Sequence, residues 1–411
     1  EKPKDLIPKE QMVDLITDLY IASKAKAIKN ENLELSQQLF FSSGHTAIIN
    51  STITNIGEKT LAISMHWKNR PIAADGLKLT AAANEVTIHS TKSNAIGHLL
   101  FPAGTSIKST DSSYLTESEH ISLKPKQSKE IRISQTFIFP EYSWENEKTA
   151  LATISFDSVL KIRKKEKELQ ISALVNSLKP AFKDSIYELV LAKAHLTLQN
   201  NWRIAAGELK HEGLFPSYHY EWFHGFWSWD SWKHAVALAH YDVELAQNQI
   251  KAMYDFQDEM GMIADCVYRD TIIETHNWRD TKPPLSAWAI WKTYEQSNDL
   301  VFLRSMFPKA EKYHQWWYKY RDHDQNGLCE YGSTDGSLIA AKWESGMDNA
   351  IRFDNCKIVE GSDYSINTES VDLNSYLAKE KEYLSKMAKT LKLSEHTKWE
   401  QEFNTLSDRI R

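Results

Sequence analysis

Pro180-Ala-Phe-Lys-Asp-Ser-Ile-Tyr-Glu-Leu-Val-Leu-Ala-Lys-Ala-His-Leu196 is where the chain changes texture. Pro180 and Asp184 open the stretch, and Ile186, Leu189, Val190, Lys193, Ala194 and Leu196 follow at the 3.6-residue period of a helix. Downstream, residues 231–241, 243–260, 284–297, 300–321 and 373–391 keep that period, with irregular aromatic-rich loops between them. Upstream the pattern is that of strands. Thr46–Thr54 is β-branched and partly alternating, while Leu61–Trp67, Glu85–His89 and Glu130–Phe137 alternate more cleanly. Asn55-Ile-Gly57, Asp75-Gly76 and Lys124-Pro125 punctuate them. The charge run 161–168 reads as a solvated face at the end of this β region, and residues 8–28 read as a short amphipathic helix before it. The expected organisation is therefore an N-terminal helical segment over 1–35, a β-sandwich accessory domain over 36–170 and a helical domain over 171–411, built as a toroid whose loops form a site on one face.

Composition narrows the function. The chain has 411 residues, 49 Lys+Arg against 55 Asp+Glu, and a formal net charge of −6. Its basic residues are scattered, which excludes the clustered positive charge of a nucleic-acid binder. No apolar run is long enough to span a bilayer. Cys266, Cys329 and Cys356 lack the spacing of a metal or disulfide framework. Twelve of the 14 tryptophans follow residue 200, so the two halves carry different work.

Four constellations carry candidate chemistry. Trp222-Phe-His-Gly-Phe-Trp-Ser-Trp-Asp-Ser-Trp-Lys233 places four tryptophans in eleven residues around Asp230 and Lys233. Flat aromatic faces match the C–H faces of sugar rings, and the embedded charges can bond hydroxyls, although the same knot also serves as core packing. His276-Asn-Trp-Arg-Asp-Thr-Lys-Pro-Pro284 reads as a loop of solvated charges ending at prolines suited to a helix's first turn. In Arg321-Asp-His-Asp-Gln-Asn-Gly-Leu-Cys-Glu-Tyr-Gly332, Asp322, Asp324 and Asn326 stand at positions 1, 3 and 5 of a calcium-type loop, with Gly327 at 6, the Leu328 carbonyl at 7 and Glu330 at 9. Ser333 replaces the closing glutamate, so the loop is not a complete EF-hand, but its hard oxygen donors favour a structural Ca²⁺. Lys342-Trp-Glu-Ser-Gly-Met-Asp-Asn-Ala350 brings Glu344 and Asp348 beside Trp343. Glycoside hydrolysis needs a carboxylic acid to protonate the departing oxygen and a second carboxylate across the bond. Two carboxylates four residues apart in one turn cannot flank it, so one is the acid and the other a substrate or structural ligand.

WESGMDN at 343–349, FWSWDSWK at 226–233, NWRDTKPP at 277–284 and DHDQNGLCEYG at 322–332 together resemble glycoside hydrolase family 63, over roughly residues 175–411. The resemblance implies a β-sandwich followed by an (α/α)6 barrel, and inverting hydrolysis of an α-glycosidic bond. It implies Asp348 as general acid, in need of burial against Trp343 or its neighbours. Trp229, Asp230, Lys233, Trp278, Trp343 and Glu344 would line the pocket for an oligosaccharide or small α-glycoside. The DxDxNGxxE loop would hold Ca²⁺, with Glu369 of Thr368-Glu-Ser-Val-Asp-Leu-Asn-Ser-Tyr376 completing its shell. An α-glucoside is the expected substrate, a mannosyl- or glucosylglycerate the alternative, and a catalytically silent sugar-binding remnant the alternative of another class. No organic cofactor is expected. A periplasmic or secreted setting is slightly favoured.

One departure from the family stands out. The glutamate that serves as base late in its barrel has no counterpart here, and the 227 residues from 185 to 411 supply roughly six or seven helices where twelve are needed. The expectation is that only about half the toroid is present. A second chain or a missing C-terminal segment would then deliver the base by packing on Tyr376, Leu377, Tyr383, Leu384, Met387, Leu391, Trp399, Phe403 and Leu406.

Overall fold

A computed structural model describes residues 26–29, 31–69, 76–183, 185–217, 221–272, 274–359 and 364–411. The chain divides into two compact units, Glu1–Lys165 and Glu166–Arg411.

The first unit is a β structure. Its strands are β1 Lys26–Lys29, β2 Leu33–Phe41, β3 Thr46–Asn55, β4 Leu61–Ile63, β5 His66–Asn69, β6 Leu77–Ala82, β7 Glu85–Ser90, β8 Ser93–Leu100, β9 Ser106–Thr110, β10 Ser113–Glu117, β11 Ile121–Leu123 and β12 Ser128–Ile138. Seven form one antiparallel sheet in the order β1-β2-β3-β12-β8-β7-β6; β5-β10-β9 and β11-β4 form two smaller sheets. Leu79, Val86 and Leu99 of the large sheet, with Phe101 just beyond β8, pack against Trp67, Ile107 and Tyr114 of the three-stranded one. The stretch 61–67 is two strands in different sheets rather than one. Ser118 holds the break, its hydroxyl accepting from Met65 N–H at 2.9 Å while its own N–H donates to the Met65 carbonyl at 2.8 Å. Most of the helix expected over residues 8–28 lies outside the described residues, and where the description begins the chain is already strand β1.

Two helices escape the sequence pattern: α1, Trp144–Thr153, and α2, Phe156–Ser177, which absorbs the 161–168 charge run. α1 is held to the sheet by polar contacts. Glu147 accepts from the Ser43 and Thr46 hydroxyls at 2.5 and 2.6 Å, and Trp144 stacks on His98 with ring centroids 4.1 Å apart.

The second unit carries α3 Ser185–Asn200, α4 Ser228–Leu238, α5 Val243–Tyr254, α6 Ser286–Ser297, α7 Leu300–Tyr320, α8 Leu338–Glu344, α9 Val371–Thr390 and α10 His396–Ile410. Side-chain caps start several of them: Asp242 accepts from Leu245 N–H, Asp299 from Val301 and Phe302 N–H, and Ser337 from Ala340 N–H. α5 stops six residues short of the expected 260. Asp258 gathers the N–H groups of Met260, Gly261 and Met262 at 2.7–2.9 Å, and Gly261 turns the chain at φ 109°. One apolar core joins α4, α5, α6, α7, α9 and α10, with Trp232, Trp317 and Trp399 fully buried.

That core corrects the expected open edge. Leu377, Tyr383, Leu384, Met387, Leu391, Trp399 and Leu406 are buried by this chain itself, because α9 and α10 pack on each other and on α6 and α7. The exposed apolar side chains of this unit include instead Ile186, Leu189 and Val190 on α3. Among the described residues no helix is long and apolar enough to cross a membrane.

Candidate active site

Three of the four constellations meet in the second unit. Strand β13 (Phe226–Trp227) pairs with β14 (Cys266–Val267), and the next residue, Ser228, starts α4 by donating its N–H to the Asp265 carbonyl at 2.8 Å. Trp229 and Asp230 therefore sit in the first turn of a helix, where its dipole favours a carboxylate. Burial nonetheless raises the Asp230 pKa, with Lys233 and Lys282 acting in the other direction. Lys233 lies one turn on, its Nζ 3.2 Å from the centroid of the Trp229 ring. Burial lowers its pKa, against the pull of Asp230.

Asp280 and Lys282, read from sequence as solvated charges, are buried at 0% and 5% exposure. Lys282 Nζ lies 3.1 Å from Asp265 Oδ1 and 3.1 Å from Asp280 Oδ2, and donates to the Trp343 carbonyl. The Asn277 amide donates to the other oxygens of the same two carboxylates, at 2.6 Å to Asp265 and 3.1 Å to Asp280. The result is a closed ring of two acids joined once by an amide and once by an ammonium. Two carboxylates share one cation in a desolvated place: burial, with a smaller contribution from Asp230, pushes Asp265 up to about 6, and burial with repulsion from Asp265 pushes Asp280 up to about 8.

Glu344 is equally committed. It is fully buried at the end of α8 and accepts from Arg321 Nε at 2.8 Å, Arg321 Nη2 at 2.9 Å and the Gly332 N–H at 2.6 Å. That geometry is a bidentate, charge-assisted strut rather than a group facing a ligand. Of the two carboxylates weighed in this turn, Glu344 is thus the structural one.

Gly346 follows at φ +67°, and a Cβ there would lie 2.5 Å from the ring of Trp229. Asp348 is exposed, which corrects the expected burial against Trp343: it is Gly346, two residues earlier, that the turn packs on Trp229. Arg279 lies 5.2 Å from the Trp343 ring centroid and pairs with Asp335 at 2.6 Å. Trp278 is 36% exposed, its carbonyl accepting from the Thr334 hydroxyl. The structure thus groups Trp229, Asp230, Lys233 and Trp343 with Asp265, Asn277, Asp280, Lys282 and Arg321, none of which the sequence singled out, and leaves Asp348 exposed two residues after Gly346. Asp280 and Lys282 beside a tryptophan and two prolines were the available signal.

The fourth constellation is a separate turn. Asp322 Oδ2 accepts from Gly327 N–H at 3.0 Å, Asp324 accepts from the Asn326 backbone and side chain, and Asn326 Nδ2 reaches Glu369 at 2.7 Å. Gln325 and Gly327 hold positive φ. Strand β15 (Glu330–Gly332) pairs with β16 (Ser365–Glu369), which sets Glu330 opposite Glu369. Asp322 Oδ1 and Glu330 Oε1 are buried without a hydrogen-bond partner. Two orphaned carboxylate oxygens in one acidic turn fit a cation, because unpaired buried anions are otherwise costly. His323 Nδ1, 3.0 Å from Glu330 Oε2, joins this donor set, and Asp324 completes the cluster.

Sequence comparison gives the class of this helical unit, that of the glycoside hydrolases. Residues 224–411 match the family described as mannosylglycerate hydrolase MGH1-like glycoside hydrolase domain. The mannosylglycerate hydrolase of Thermus thermophilus is 32% identical over 182 residues, 39% of this chain and 40% of that protein. Mannosylglycerate hydrolase MGH1 of Selaginella moellendorffii is 27% identical over 161 residues, 35% of this chain and 30% of that protein. Over residues 224–411, less than half of its length, the chain is thus similar to the mannosylglycerate hydrolase MGH1-like glycoside hydrolases. It spans 30% and 40% of the length of these two curated relatives. Among solved structures, a family 63 mannosylglycerate hydrolase from Thermus thermophilus, in complex with Tris and D-glycerate, matches at TM-score 0.42 and 20% identity, over 53% of this chain and 65% of that one. A putative kojibiose phosphorylase from human microbiome matches over 94% of this chain and 54% of its own at TM-score 0.56 and 11% identity, a likeness of fold.

Proposed function

We propose that this chain carries the acid side of an inverting α-glycosidase centre, with Asp348 as general acid and a small α-glycoside of the mannosylglycerate kind as substrate. The observation that carries the reading is the turn itself. Lys282 donates to its Trp343 carbonyl and the Trp229 ring covers its Gly346, while Asp348 is exposed. Trp229, Trp278 and Trp343 offer apolar faces to the sugar's C–H groups, and Asp230 and Lys233 bond its hydroxyls. The names of the curated relatives favour a mannosylglycerate over the α-glucoside first expected. In the reaction Asp348 gives its proton to the glycosidic oxygen as the bond to the anomeric carbon breaks. A water on the opposite face of the sugar loses a proton to a base and becomes the new hydroxyl.

Glu344, Asp265 and Asp280 are each bound by Arg321, Lys282 or Asn277, so we assign the base to a carboxylate outside the described residues, carried by further chain or by a second one. It would sit about 6.5–9.5 Å from Asp348. The helices would then form part of an (α/α)6 toroid. The 322–330 turn, with Glu369, would hold a structural Ca²⁺ through Asp322, Asp324, Asn326, the Leu328 carbonyl and Glu330.

The test is hydrolysis of mannosylglycerate and of an aryl α-glucoside by the assembled form that carries the base, with sugar binding measured on the same preparation. Turnover of mannosylglycerate supports the proposal. Turnover of the α-glucoside alone restores the first expectation, and binding without turnover makes the chain a sugar-binding remnant.

A further inference from the structure

The buried ring around Lys282 has a consequence for the turn that bears Asp348. A lysine ammonium has three protons. Here three oxygens surround it, from Asp265, Asp280 and the Trp343 carbonyl, and the side chain is 5% exposed. Two of the three protons go to Asp280 and the Trp343 carbonyl, and the Asp265 carboxylate stands 3.1 Å away as an ion-pair partner, so this buried ammonium faces the chain's own oxygens. Its target is informative. The Trp343 carbonyl also accepts the Gly346 N–H at 2.9 Å, which closes the turn that carries the chain to Asp348. Trp343 lies in the last turn of α8, where a cation is favourably placed against the helix dipole.

The two carboxylates are anchored in their turn. The Asp265 N–H donates to the carbonyls of Asn277 and Asp280 at 3.0 and 3.2 Å, and the Asp265 carbonyl receives the Ser228 N–H that starts α4. The ring therefore ties together the three segments of the site, 226–233, 265–282 and 343–348. The same Trp343–Gly346 turn lies under Trp229, which leaves no room for a Cβ at Gly346.

We infer that Lys282, held by Asp265 and Asp280, is a positioning residue that fixes the Asp348 turn against the α4 segment without touching substrate. This rests on the reading of Asp348 as the acid. One proton shared within the ring balances its charge at neutral pH, consistent with the upward shift of Asp280. An ammonium is needed because a neutral donor would leave two buried carboxylates facing each other.

Hydrogen exchange of the whole chain tests the inference without requiring turnover, comparing wild type with Lys282→Met. Removing the ammonium should speed exchange of the amides in 343–348 at least tenfold while α9 and α10 keep wild-type protection. If Lys282→Met does not fold, the Lys282→Met/Asp280→Asn pair removes the cation together with one carboxylate and serves in its place. Unchanged exchange in 343–348, or an equal rise everywhere, overturns the inference. Where mannosylglycerate is turned over, the variant should lower kcat at least tenfold with KM within twofold, and a rise in KM alone would also overturn it. An assembled wild-type form, base included, that binds sugar without turnover removes the acid reading but leaves the fixing of the turn to be decided by exchange.

Discussion

Replacing Glu344 by Gln separates a strut from a ligand. The wild-type carboxylate meets four donors: two nitrogens of Arg321 at 2.8 and 2.9 Å, the Gly332 N–H at 2.6 Å and the Thr281 N–H at 3.4 Å, with Glu344 0% and Arg321 2% exposed. Glutamine keeps one acceptor oxygen and turns an N–H toward a donor. It also leaves a guanidinium buried without its counter-charge. Removing one partner of a buried ion pair costs about 3–5 kcal/mol, a large part of the roughly 5–15 kcal/mol that holds a domain together. At roughly 2–4 °C per kcal/mol for a unit of this size, the melting temperature should fall by about 10 °C. Thermal and urea unfolding followed by tryptophan fluorescence would read it, with sugar binding measured below the transition. Replacing both partners, Arg321→Met with Glu344→Leu, should recover much of the loss, since an apolar pair leaves no orphan charge. A Glu344→Gln chain that unfolds within about 1 kcal/mol of wild type and loses sugar binding would refute the reasoning and make Glu344 a ligand.

Gly346→Ala places a Cβ 2.5 Å from the Trp229 ring at a positive φ, so sugar affinity should fall tenfold or more with a changed tryptophan emission; unchanged affinity would dissociate that ring from the pocket. Chelation should lower the melting temperature, because an ion at hundredfold excess over its Kd contributes about 2.7 kcal/mol; Asp322→Asn should abolish that shift, and the absence of any chelator effect in wild type would remove the ion. Glu380 is buried, accepts from the Ala287 N–H, and is pushed up to about 7 by burial. Its folded pKa lies above its unfolded one, so its contribution is full below about pH 4.3 and falls by about 3 kcal/mol as pH rises through 7. Glu380→Gln should flatten that slope in pH-dependent unfolding, and an unchanged slope would place the titration elsewhere.

Much of the fold was legible where a period repeats. The helices from α4 to α10 that carry apolar faces stand within a few residues of their sequence positions, because each buries one stripe against a common core. α1 escaped because Glu147, Lys148 and Trp144 hold it to the sheet by polar and ring contacts that no hydrophobic period records. The break at Ser64–Met65 was invisible for a similar reason: the alternation runs on while a distant hydroxyl, Ser118, decides where the strand changes sheets. In the site, Asp348, Trp229 and Trp343 could be named from their motifs, but the partners of a charge could not. Asp280 and Lys282 look like solvated residues until the fold brings Asp265 beside them. Glu344 looks like a catalytic carboxylate until Arg321, 23 positions earlier, is seen to claim it. The expected open edge failed because α9 and α10 bury their apolar faces on each other and on α6 and α7, a pairing that counting helices cannot reveal.

The most direct test of Asp348 as general acid is the rate of mannosylglycerate hydrolysis by wild type and by Asp348→Asn, each in the assembled form that carries the base, at the same pH and saturating substrate. A positioned general acid contributes about 10²–10⁴-fold. The account predicts a loss of that size with sugar binding kept, whereas a variant that keeps near-wild-type turnover would contradict it.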